Sequence, residues 1–310
     1  MRKLLIISDC GANVPDLTKE FSVTALGADA SPEERLMRIS EAEVIIGEPT
    51  IEELSCAKNL RWLQMTWAGA DRYLKGGFPQ DVLLTTASGA FGDTIAEHAL
   101  AMLFSLCRRL SAYGRSSDWL DLGSEKQLSD GRALVFGCGD IGSAIAKRLK
   151  ALNVHTIGVC QDLKKSRPYF DVLTNLDCAP AFFDEADFIL CALPHNEETA
   201  GYFGKERLSM LKEDAVIVNV GRGSFLDISA LTELLQAGKY FGVGLDVVDP
   251  EPLPPEHPLW SMSNVVLTPH VAGVSFGHLP STEEKIWEIC RENLRRYLAG
   301  EPLRNQVILP

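Results

Sequence analysis

The chain has 310 residues, an ordinary apolar share of 46% and a net charge of −12. This length suffices for two domains that each bury a core. The negative charge argues against nucleic acid as a partner, because phosphate binding requires a basic surface. No apolar run approaches the ~20 residues that span a bilayer, so no membrane segment is predicted. The short apolar run after Met1 ends at Asp9, which favours a first β-strand over a signal peptide.

Eight cysteines are scattered along the chain without a C-x-x-C pair. Their spacing is typical neither of a zinc site nor of a disulfide framework. We therefore predict reduced thiols, no bound metal and a cytoplasmic protein.

Short apolar runs alternate with helical patterns along the whole chain, which indicates parallel sheets covered by helices. In the first segment the predicted strands are residues 4–8, 44–46, 61–65 and 82–85. Thr50 and Glu53 have the spacing of a capping box that opens a short helix. A long helix from Thr94 to about Tyr113 follows, with apolar residues on more than one face. Such a helix is either buried between domains or part of a subunit interface.

Residues 133–142 have the pattern of a buried strand that leads into a glycine-rich turn and then a helix. Gly137 allows the sharp turn, Gly139 lets the backbone approach a pyrophosphate, and Gly142 allows the helix to pack closely on the strand. The amides at the start of the helix, predicted over 143–152, face the phosphate charge. A second strand at 155–159 completes a βαβ unit. This context predicts dinucleotide binding rather than a chance structural turn.

Further apolar runs predict strands at 188–191, 216–220, 241–245 and 265–267. With 133–136 and 155–159 they make the six strands of a complete doubly wound dinucleotide domain. After a crossing at 273–280 that is rich in Gly and Pro, a last helix at 281–298 is expected to return to the first domain. We therefore predict a discontinuous substrate-binding domain of residues 1–93 and 275–310 around a dinucleotide-binding domain of residues 94–274.

Three side chains that could perform chemistry follow predicted strands. Arg222 lies between two glycines after the strand at 216–220, Glu251 follows the strand at 241–245, and His270 follows the strand at 265–267. Each alone is typical of a solvated loop or turn residue. Ligands of open α/β sheets bind outside the carboxyl ends of strands, so a guanidinium, a carboxylate and an imidazole at that edge predict a catalytic site.

At these residues the chain resembles the D-isomer-specific 2-hydroxyacid dehydrogenases, over nearly its whole length. The resemblance lies in Gly137-Cys-Gly-Asp-Ile-Gly142, Val218-Asn-Val-Gly-Arg-Gly223, Leu245-Asp-Val-Val-Asp-Pro-Glu-Pro252, His257-Pro-Leu-Trp260 and Thr268-Pro-His-Val-Ala-Gly273. It implies an α/β fold of two doubly wound parallel-sheet domains, with a Rossmann NAD(P)-binding domain inserted in a discontinuous flavodoxin-like substrate domain. It also implies reduction of a 2-oxo acid to a D-(R)-2-hydroxy acid, and a homodimer.

The family's catalytic set falls on Arg222, Glu251 and His270. Arg222 can fork onto the carboxylate and carbonyl oxygen of the substrate, which orients and polarises it. His270 is expected to be the acid in reduction and the base in oxidation, since imidazole changes protonation near neutral pH. Glu251, paired with His270, should favour imidazolium and orient the ring. The resemblance also places the backbone amides of Ala68 and Gly69 on the substrate carboxylate.

Trp67 either walls the substrate pocket or packs in the core, and the loop at 9–11 could also face the substrate. The remaining contacts that the resemblance implies concern the cofactor. They are Asp140 and Ile141 at the pyrophosphate, Leu193, Pro194 and Thr199 near the adenosine, Val220 and Asp246 at the nicotinamide end, and Gly221 and Gly273 in the matching motifs. The Asp246 carboxylate is expected to accept from the nicotinamide carboxamide. Asp246 could instead be a helix cap or a solvated turn residue.

The position that usually carries a carboxylate for the ribose of NAD is occupied by Cys160, with Gln161 next. A thiol cannot replace a carboxylate as a bidentate acceptor, and Lys164, Lys165 and Arg167 follow. The sequence therefore favours NADP(H), with NAD(H) possible if Asp162 reaches the ribose. Cys138 and Cys160 are either small filler residues or, at a helix N-terminus, a reactive thiol site.

Two other functions are compatible with the motifs. A dinucleotide-sensing regulatory protein of the same fold is the alternative to an enzyme, and the intact catalytic set argues against it. Formate oxidation is disfavoured by Glu251, and a phosphoglycerate enzyme with a regulatory domain by the chain's end soon after the last helix. The side chain of the 2-oxo acid is not readable from these motifs.

Overall fold

The computed structural model describes residues 1–7, 20–27, 29–274 and 276–309. Contacts within it divide the chain into two compact units, Met1–Phe91 with Val274–Pro310, and Gly92–Gly273. Each unit is built on one parallel sheet. The predicted fold class, two parallel α/β domains of which the first is discontinuous, is confirmed.

The described residues of the first unit form five strands in the order β2-β1-β3-β4-β5, which is the flavodoxin-like order. Its strands are β1 Arg2–Ile7, β2 Phe21–Leu26, β3 Val44–Gly47, β4 Trp62–Gln64 and β5 Leu83–Thr85. Its helices are α1 Pro32–Glu41, α2 Ile51–Leu54, α3 Asp71–Leu74 and α9 Pro280–Ala299. The sequence pattern misses β2, because this edge strand buries only its two end residues and shows no apolar run.

Two local predictions in this unit are confirmed. The Thr50 side chain accepts from the Glu53 N–H at 3.1 Å, and the Glu53 carboxylate accepts from the Thr50 N–H at 2.8 Å, which is the capping box of α2. The last helix, α9, belongs to the first unit, where the Asn293 amide donates to Gln64 Oε1 of β4 at 2.8 Å.

The second unit has seven strands in the order β12-β11-β10-β9-β6-β7-β8. They are β6 Arg132–Phe136, β7 His155–Val159, β8 Val172–Thr174, β9 Phe188–Cys191, β10 Val216–Asn219, β11 Gly242–Leu245 and β12 Val265–Leu267. The helices are α4 Gly92–Cys107, α5 Leu110–Arg115, α6 Asp140–Ala151, α7 Lys205–Met210 and α8 Ile228–Gln236. The six-strand prediction is wrong by one strand: it misses β8, which is short and mostly half-buried at the sheet edge.

The predicted helix from Thr94 to Tyr113 is two helices in the structure. Arg109, between α4 and α5, has a left-handed backbone (φ 51°), and its Nε donates to the Ser124 carbonyl at 2.6 Å. A left-handed residue ends the helical hydrogen-bond ladder, and apolar periodicity alone does not reveal it. α4 packs against α6 and the sheet of its own unit, which accounts for the apolar residues on more than one face.

The core of the second unit gathers large aromatic side chains beside the glycine-rich turn. The Phe136 ring, at the end of β6, lies 5.1 Å from Phe203 and 5.3 Å from Phe225, centroid to centroid. This rigid packing holds the end of β6 where the turn begins. None of the seven cysteines in the described part of the chain forms a disulfide, and none of its helices is long and apolar enough to cross a membrane.

Candidate active site

The glycine-rich turn has the geometry that dinucleotide binding requires. Gly137 has a φ of 97°, a conformation that side-chain-bearing residues rarely adopt. A Cβ on Gly142 would lie 1.7 Å from the Gly137 carbonyl oxygen, so the first turn of α6 packs directly on the turn. Gly139 precedes α6 and is exposed, and Asp140 begins the helix. The turn therefore presents the α6 N-terminus, which attracts anionic phosphate groups.

A groove of about 630 Å³ extends from this turn across the ends of β7 and β9. Seven residues predicted to bind the cofactor line it: Gly137, Gly139, Cys160, Gln161, Leu193, Pro194 and Thr199. Cys138, which the sequence singled out only as a thiol, lines it too. Others that the sequence did not single out line it too, among them Asn175, Asp177, Glu198 and Arg207. The size suits part of a dinucleotide, since small-molecule sites enclose about 300–1,000 Å³.

The remaining predicted cofactor residues are not among those that line this groove. Ile141 and Gly142 are in α6, and Lys164 is exposed in the loop after Gln161. Val220, Gly221, Asp246 and Gly273 follow β10, β11 and β12. A Cβ on Gly221 would lie 2.7 Å from the Leu193 carbonyl oxygen, so the end of β10 touches the groove wall.

The three candidate catalytic residues follow three neighbouring strands. The last residues of these strands, Asn219, Leu245 and Leu267, stand side by side in the sheet. Arg222, Glu251 and His270 come three, six and three residues later, respectively. The parallel register therefore places all three at one edge of one sheet.

His270 and Glu251 are in direct contact. Nδ1 of His270 lies 3.0 Å from Oε2 of Glu251, and Oε1 of Glu251 accepts from the Val248 N–H at 3.1 Å. The Nδ1 proton that this contact requires leaves Nε2 to exchange a proton with a substrate. The imidazole is half exposed, so a substrate can reach it.

Arg222 is held next to this pair through the backbone. The side-chain amide of the buried Asn219 donates to the Arg222 carbonyl at 2.9 Å and accepts from the Gly221 N–H at 3.0 Å, which clamps the turn. A Cβ on Gly223 would lie 1.9 Å from the Val248 carbonyl oxygen, so the Arg222 turn packs on the segment that binds Glu251. A continuous series of contacts thus joins the groove, the guanidinium turn and the imidazole.

The turn that carries His270 is held by Asp246. Its carboxylate is buried, and it accepts from the Thr268 hydroxyl at 2.6 Å, the Val271 N–H at 2.9 Å and the Ala272 N–H at 3.0 Å. His270 itself has a left-handed backbone (φ 55°), a conformation that costs roughly 1–2 kcal/mol and needs such support. The hydrogen bonds that the Asp246 carboxylate accepts within the protein hold the turn in place. Its contact with the nicotinamide carboxamide stays a prediction.

A second histidine completes this anchor. Nε2 of His98, on α4, lies 3.0 Å from Oγ1 of Thr268 and 3.6 Å from Oδ1 of Asp246. Because the Thr268 hydroxyl donates to Asp246, it accepts from His98, which places a proton on Nε2. His98 and Thr268 were not singled out from the sequence, since their roles depend on a contact between residues 170 positions apart.

Replacing Thr268 by valine is expected to lower both kcat and stability. The change removes the hydroxyl that joins His98 to Asp246, and losing a buried hydrogen bond costs about 1–3 kcal/mol. Urea unfolding and steady-state kinetics measure the two effects. The matched control is Thr232→Val in α8, where the hydroxyl donates to the Ile228 carbonyl at 2.7 Å. That variant should lose similar stability with kcat unchanged; equal kcat losses in both variants would contradict the anchoring role.

Beside the His270–Glu251 pair lies an apolar cavity of about 370 Å³. Leu253, Trp260 and Leu267 line it, together with Asp246 and His270. The imidazole therefore faces a mainly apolar surface on this side.

The predicted substrate loop of the first unit also has a buried anchor. Thr66, which precedes Trp67, donates from its N–H to Oε1 of Glu48 at 2.7 Å and from its hydroxyl to both carboxylate oxygens at 3.0 Å. Burial raises the pKa of the Glu48 carboxyl above its usual range, although these hydrogen bonds oppose the shift. The Trp67 side chain is 44% exposed, which excludes the core alternative for it. The loop at 9–11 lies outside the described residues.

The loop after β7 arranges its charges around the groove. Gln161 donates to Glu198 Oε2 at 2.9 Å, and the Asp162 carboxylate accepts from the Lys164 N–H at 3.0 Å. The Arg167 guanidinium donates to the Cys138 carbonyl inside the glycine-rich turn. Asp162 is therefore folded back onto its own loop, and a cation touches the turn.

Comparisons with known proteins agree with these features. Residues 100–272 match the family model described as the NAD-binding domain of D-isomer specific 2-hydroxyacid dehydrogenases. A glyoxylate/hydroxypyruvate reductase of Arabidopsis thaliana is 31% identical over 309 residues, which cover 94% of this chain and 92% of the plant protein.

Solved structures of the same family superpose on this chain over nearly its whole length. A D-isomer specific 2-hydroxyacid dehydrogenase family protein of Aeromonas salmonicida superposes with a TM-score of 0.85 and 29% identity over 99% of both chains. A D-isomer specific 2-hydroxyacid dehydrogenase of Xanthobacter autotrophicus, in complex with NADPH and MES, superposes with a TM-score of 0.82 and 25% identity over 99% of this chain and 98% of that one.

Proposed function

Because the chain belongs to the D-isomer specific 2-hydroxyacid dehydrogenase family, we propose that it reduces a 2-oxo acid to the D-(R)-2-hydroxy acid with a nicotinamide dinucleotide. The observation that carries this proposal is the 3.0 Å contact between His270 and Glu251 at the edge where Arg222 lies. The groove and the α6 N-terminus fit a dinucleotide, which when bound supplies the hydride for reduction and accepts it in oxidation.

The three side chains divide the work at the carbonyl group. Arg222 binds the carboxylate and carbonyl oxygen of the 2-oxo acid as a fork, which orients the substrate and polarises the carbonyl. His270 gives its Nε2 proton to the carbonyl oxygen as the alcohol forms, and Glu251 stabilises the protonated ring through Nδ1. In oxidation His270 takes that proton back.

We propose that the two units correspond to the two predicted domains. The unit Gly92–Gly273 binds the dinucleotide, and the other unit contributes the substrate loop, with the Ala68 and Gly69 amides on the carboxylate and Trp67 beside the substrate. The Glu48 anchor of Thr66 supports this loop at the ends of β3 and β4.

A substrate panel tests this function. Pyruvate, glyoxylate, hydroxypyruvate, phenylpyruvate and branched 2-oxo acids are assayed with NADPH and with NADH, and the product is analysed on a chiral column. We expect turnover of at least one 2-oxo acid and an (R) product where the product is chiral. Tight dinucleotide binding without turnover of any of them would contradict the enzyme and favour a dinucleotide-sensing regulator.

We propose that NADP(H) is the preferred cofactor. Cys160 occupies the usual place of the ribose carboxylate, and the Asp162 carboxylate is engaged by its own loop. Lys164 and Lys165 are exposed in the loop after Gln161, where a 2′-phosphate would bind, and Arg167 contacts the glycine-rich turn. The NADPH complex of the Xanthobacter protein supports the same choice. Two carboxylates that line the groove oppose this choice: Glu198, which accepts from Gln161, and Asp177.

Replacing Lys164 and Lys165 together by glutamine is expected to lower kcat/KM for NADPH by about tenfold, the equivalent of ~1.4 kcal/mol, and to leave that for NADH unchanged. Glu198→Gln should act in the opposite direction, because it removes a negative charge near the 2′-phosphate. The control is Lys205→Gln, an exposed lysine paired with Glu233. A wild-type kcat/KM at least tenfold higher with NADH than with NADPH would contradict the preference.

We further propose a cytoplasmic homodimer. Phe104, Leu110, Trp119 and Leu120 are exposed along α4, α5 and the following loop, and exposed apolar clusters mark interaction surfaces. The mass in solution by light scattering measures the assembly; a monomer at micromolar concentration would contradict it.

A further inference from the structure

Two cysteines lie together where the cofactor groove begins. Cys138 follows Gly137 in the glycine-rich turn and is buried, whereas Cys160 follows β7 and is half-buried. Both line the groove. The roles proposed for Arg222, Glu251 and His270 use neither thiol.

The strand register puts the two residues within reach of each other. Phe136 pairs with Val159 at the end of the β6–β7 ladder, so Gly137 and Cys160 are the next residues along the two chains, and Cys138 is one position further. In regular parallel strands, residues offset by one have Cα atoms about 6 Å apart. Disulfides join Cα atoms about 4.4–6.8 Å apart, so this spacing allows one.

The side chains also lie on the same face of the sheet. A Cβ on Gly158 would lie 2.6 Å from the Cys138 sulfur, so this sulfur covers Gly158. Alternate residues of a strand face the same side, and Cys160 is two residues after Gly158. Cys138 Sγ also lies 3.6 Å from the Val159 carbonyl oxygen, directly beside Cys160.

The neighbouring Cys160 also affects the pKa of the Cys138 thiol. Burial raises the pKa of the Cys138 thiol to about 12, and both the charge of Cys160 and a hydrogen bond with it contribute to that shift. Cys138 is therefore protonated at neutral pH and is the weaker nucleophile. Cys160, at the groove surface, is the thiol that meets a reagent first.

We propose that Cys138 and Cys160 form a dithiol modification site that closes to an intramolecular disulfide when a low-molecular-weight disulfide enters the empty groove. In the first step the Cys160 thiolate attacks the reagent, a mixed disulfide forms on Cys160, and one thiolate leaves. In the second step Cys138 loses its proton and attacks the Cys160 sulfur, and the second thiolate leaves. The protein loses two electrons and two protons, and the reagent is reduced to two thiols.

The disulfide changes the surface that binds the cofactor. Cys138 lies between Gly137 and Gly139, and its carbonyl accepts from the Ser143 hydroxyl at 3.2 Å and from Arg167. Drawing its sulfur toward Cys160 moves the turn whose amides face the phosphates. A bound dinucleotide covers both thiols and prevents the first step. Only this protective effect rests on the proposed function; the disulfide itself does not.

The experiment treats the whole protein with oxidised glutathione and follows the thiols by peptide mass spectrometry. Trypsin places Cys138 in the peptide 133–147 and Cys160 in the peptide 151–164, each without another cysteine. We expect these two peptides to become linked, with NADPH binding at least tenfold weaker by fluorescence titration, and both changes reversed by dithiothreitol. Because the second step needs the Cys138 thiolate, linkage should accelerate steadily from pH 7 to pH 9.

Variants and a protection experiment complete the test. Cys160→Ser should abolish both the link and the loss of binding, whereas Cys138→Ser should stop at the glutathione adduct on Cys160. Cys178→Ser, which changes an exposed cysteine outside the groove, should behave like the wild type. Saturating NADPH should slow the linkage at least tenfold.

Modification of other cysteines without the 133–147 to 151–164 link overturns the proposal, whatever the reductase assay shows. A link that forms with unaltered NADPH affinity, or equally fast under NADPH, overturns its location at the cofactor surface.

Discussion

Replacing His270 by alanine is expected to lower kcat for 2-oxo acid reduction by about 10²–10⁴-fold, the usual contribution of a positioned general acid. The carbonyl oxygen then takes its proton from water, and Glu251 has no ring to orient. Dinucleotide affinity should stay at the wild-type value, because His270 does not line the groove that we propose as the cofactor site. Steady-state kinetics and fluorescence titration with NADPH separate the two quantities.

The matched control is His155→Ala. His155 is half exposed and contacts Asp171 at 3.5 Å, but it begins β7 and therefore lies at the opposite edge of the same sheet. Its loss should leave kcat unchanged. His270→Gln keeps a polar side chain of similar size without an acid, and it should be as inactive as the alanine variant. Wild-type kcat in either His270 variant would remove the proton-transfer role.

Arg222→Lys is expected to lower kcat/KM for the 2-oxo acid by about 10²–10³-fold, or about 2.7–4 kcal/mol of transition-state stabilisation. Lysine keeps the positive charge but not the planar fork that binds a carboxylate and a carbonyl oxygen together. KM should rise because the fork binds the substrate, and kcat should fall because the fork also polarises the carbonyl. The Kd for NADPH should not change.

The structure allows this substitution without loss of the fold. The turn is clamped by Asn219 through the Arg222 carbonyl and the Gly221 N–H, and neither group belongs to the replaced side chain. Arg148→Lys in α6, where the arginine pairs with Asp93 and Glu97 at 3.1 Å, is the control and should retain full activity. Unchanged kcat/KM in Arg222→Lys would show that charge alone suffices, and would contradict the bidentate role.

Most of the fold follows from local patterns in the sequence. Buried parallel strands such as β6 and β10 are short continuous apolar runs, and the glycine-rich turn is readable because its backbone demands glycine at fixed positions. The strands β2 and β8 were not predicted because edge strands bury little and need no apolar run. The break at Arg109 was missed for a related reason, since a left-handed residue leaves the apolar periodicity on both sides intact.

Some residues of the candidate site could likewise be predicted from local sequence patterns, and others could not. The placement of Arg222, Glu251 and His270 at one edge of the sheet could be predicted, because each follows a recognisable strand. The roles of His98, Thr268 and Asn219 could not, because they depend on hydrogen bonds that form only when distant segments pack. One signal was available for Asn219: a polar residue ends an otherwise apolar buried strand, and buried amides are almost always hydrogen-bonded.

The guanidinium, the carboxylate, the imidazole and the cofactor groove all occur within the single uninterrupted stretch Gly92–Gly273. Under the proposed function, the redox chemistry therefore belongs to one module, and the segments on either side contribute the loop that contacts the acid. Chimaeras that exchange only residues 1–91 and 274–310 between two relatives should therefore change which 2-oxo acid is reduced. They should keep the coenzyme preference of the relative that supplies residues 92–273.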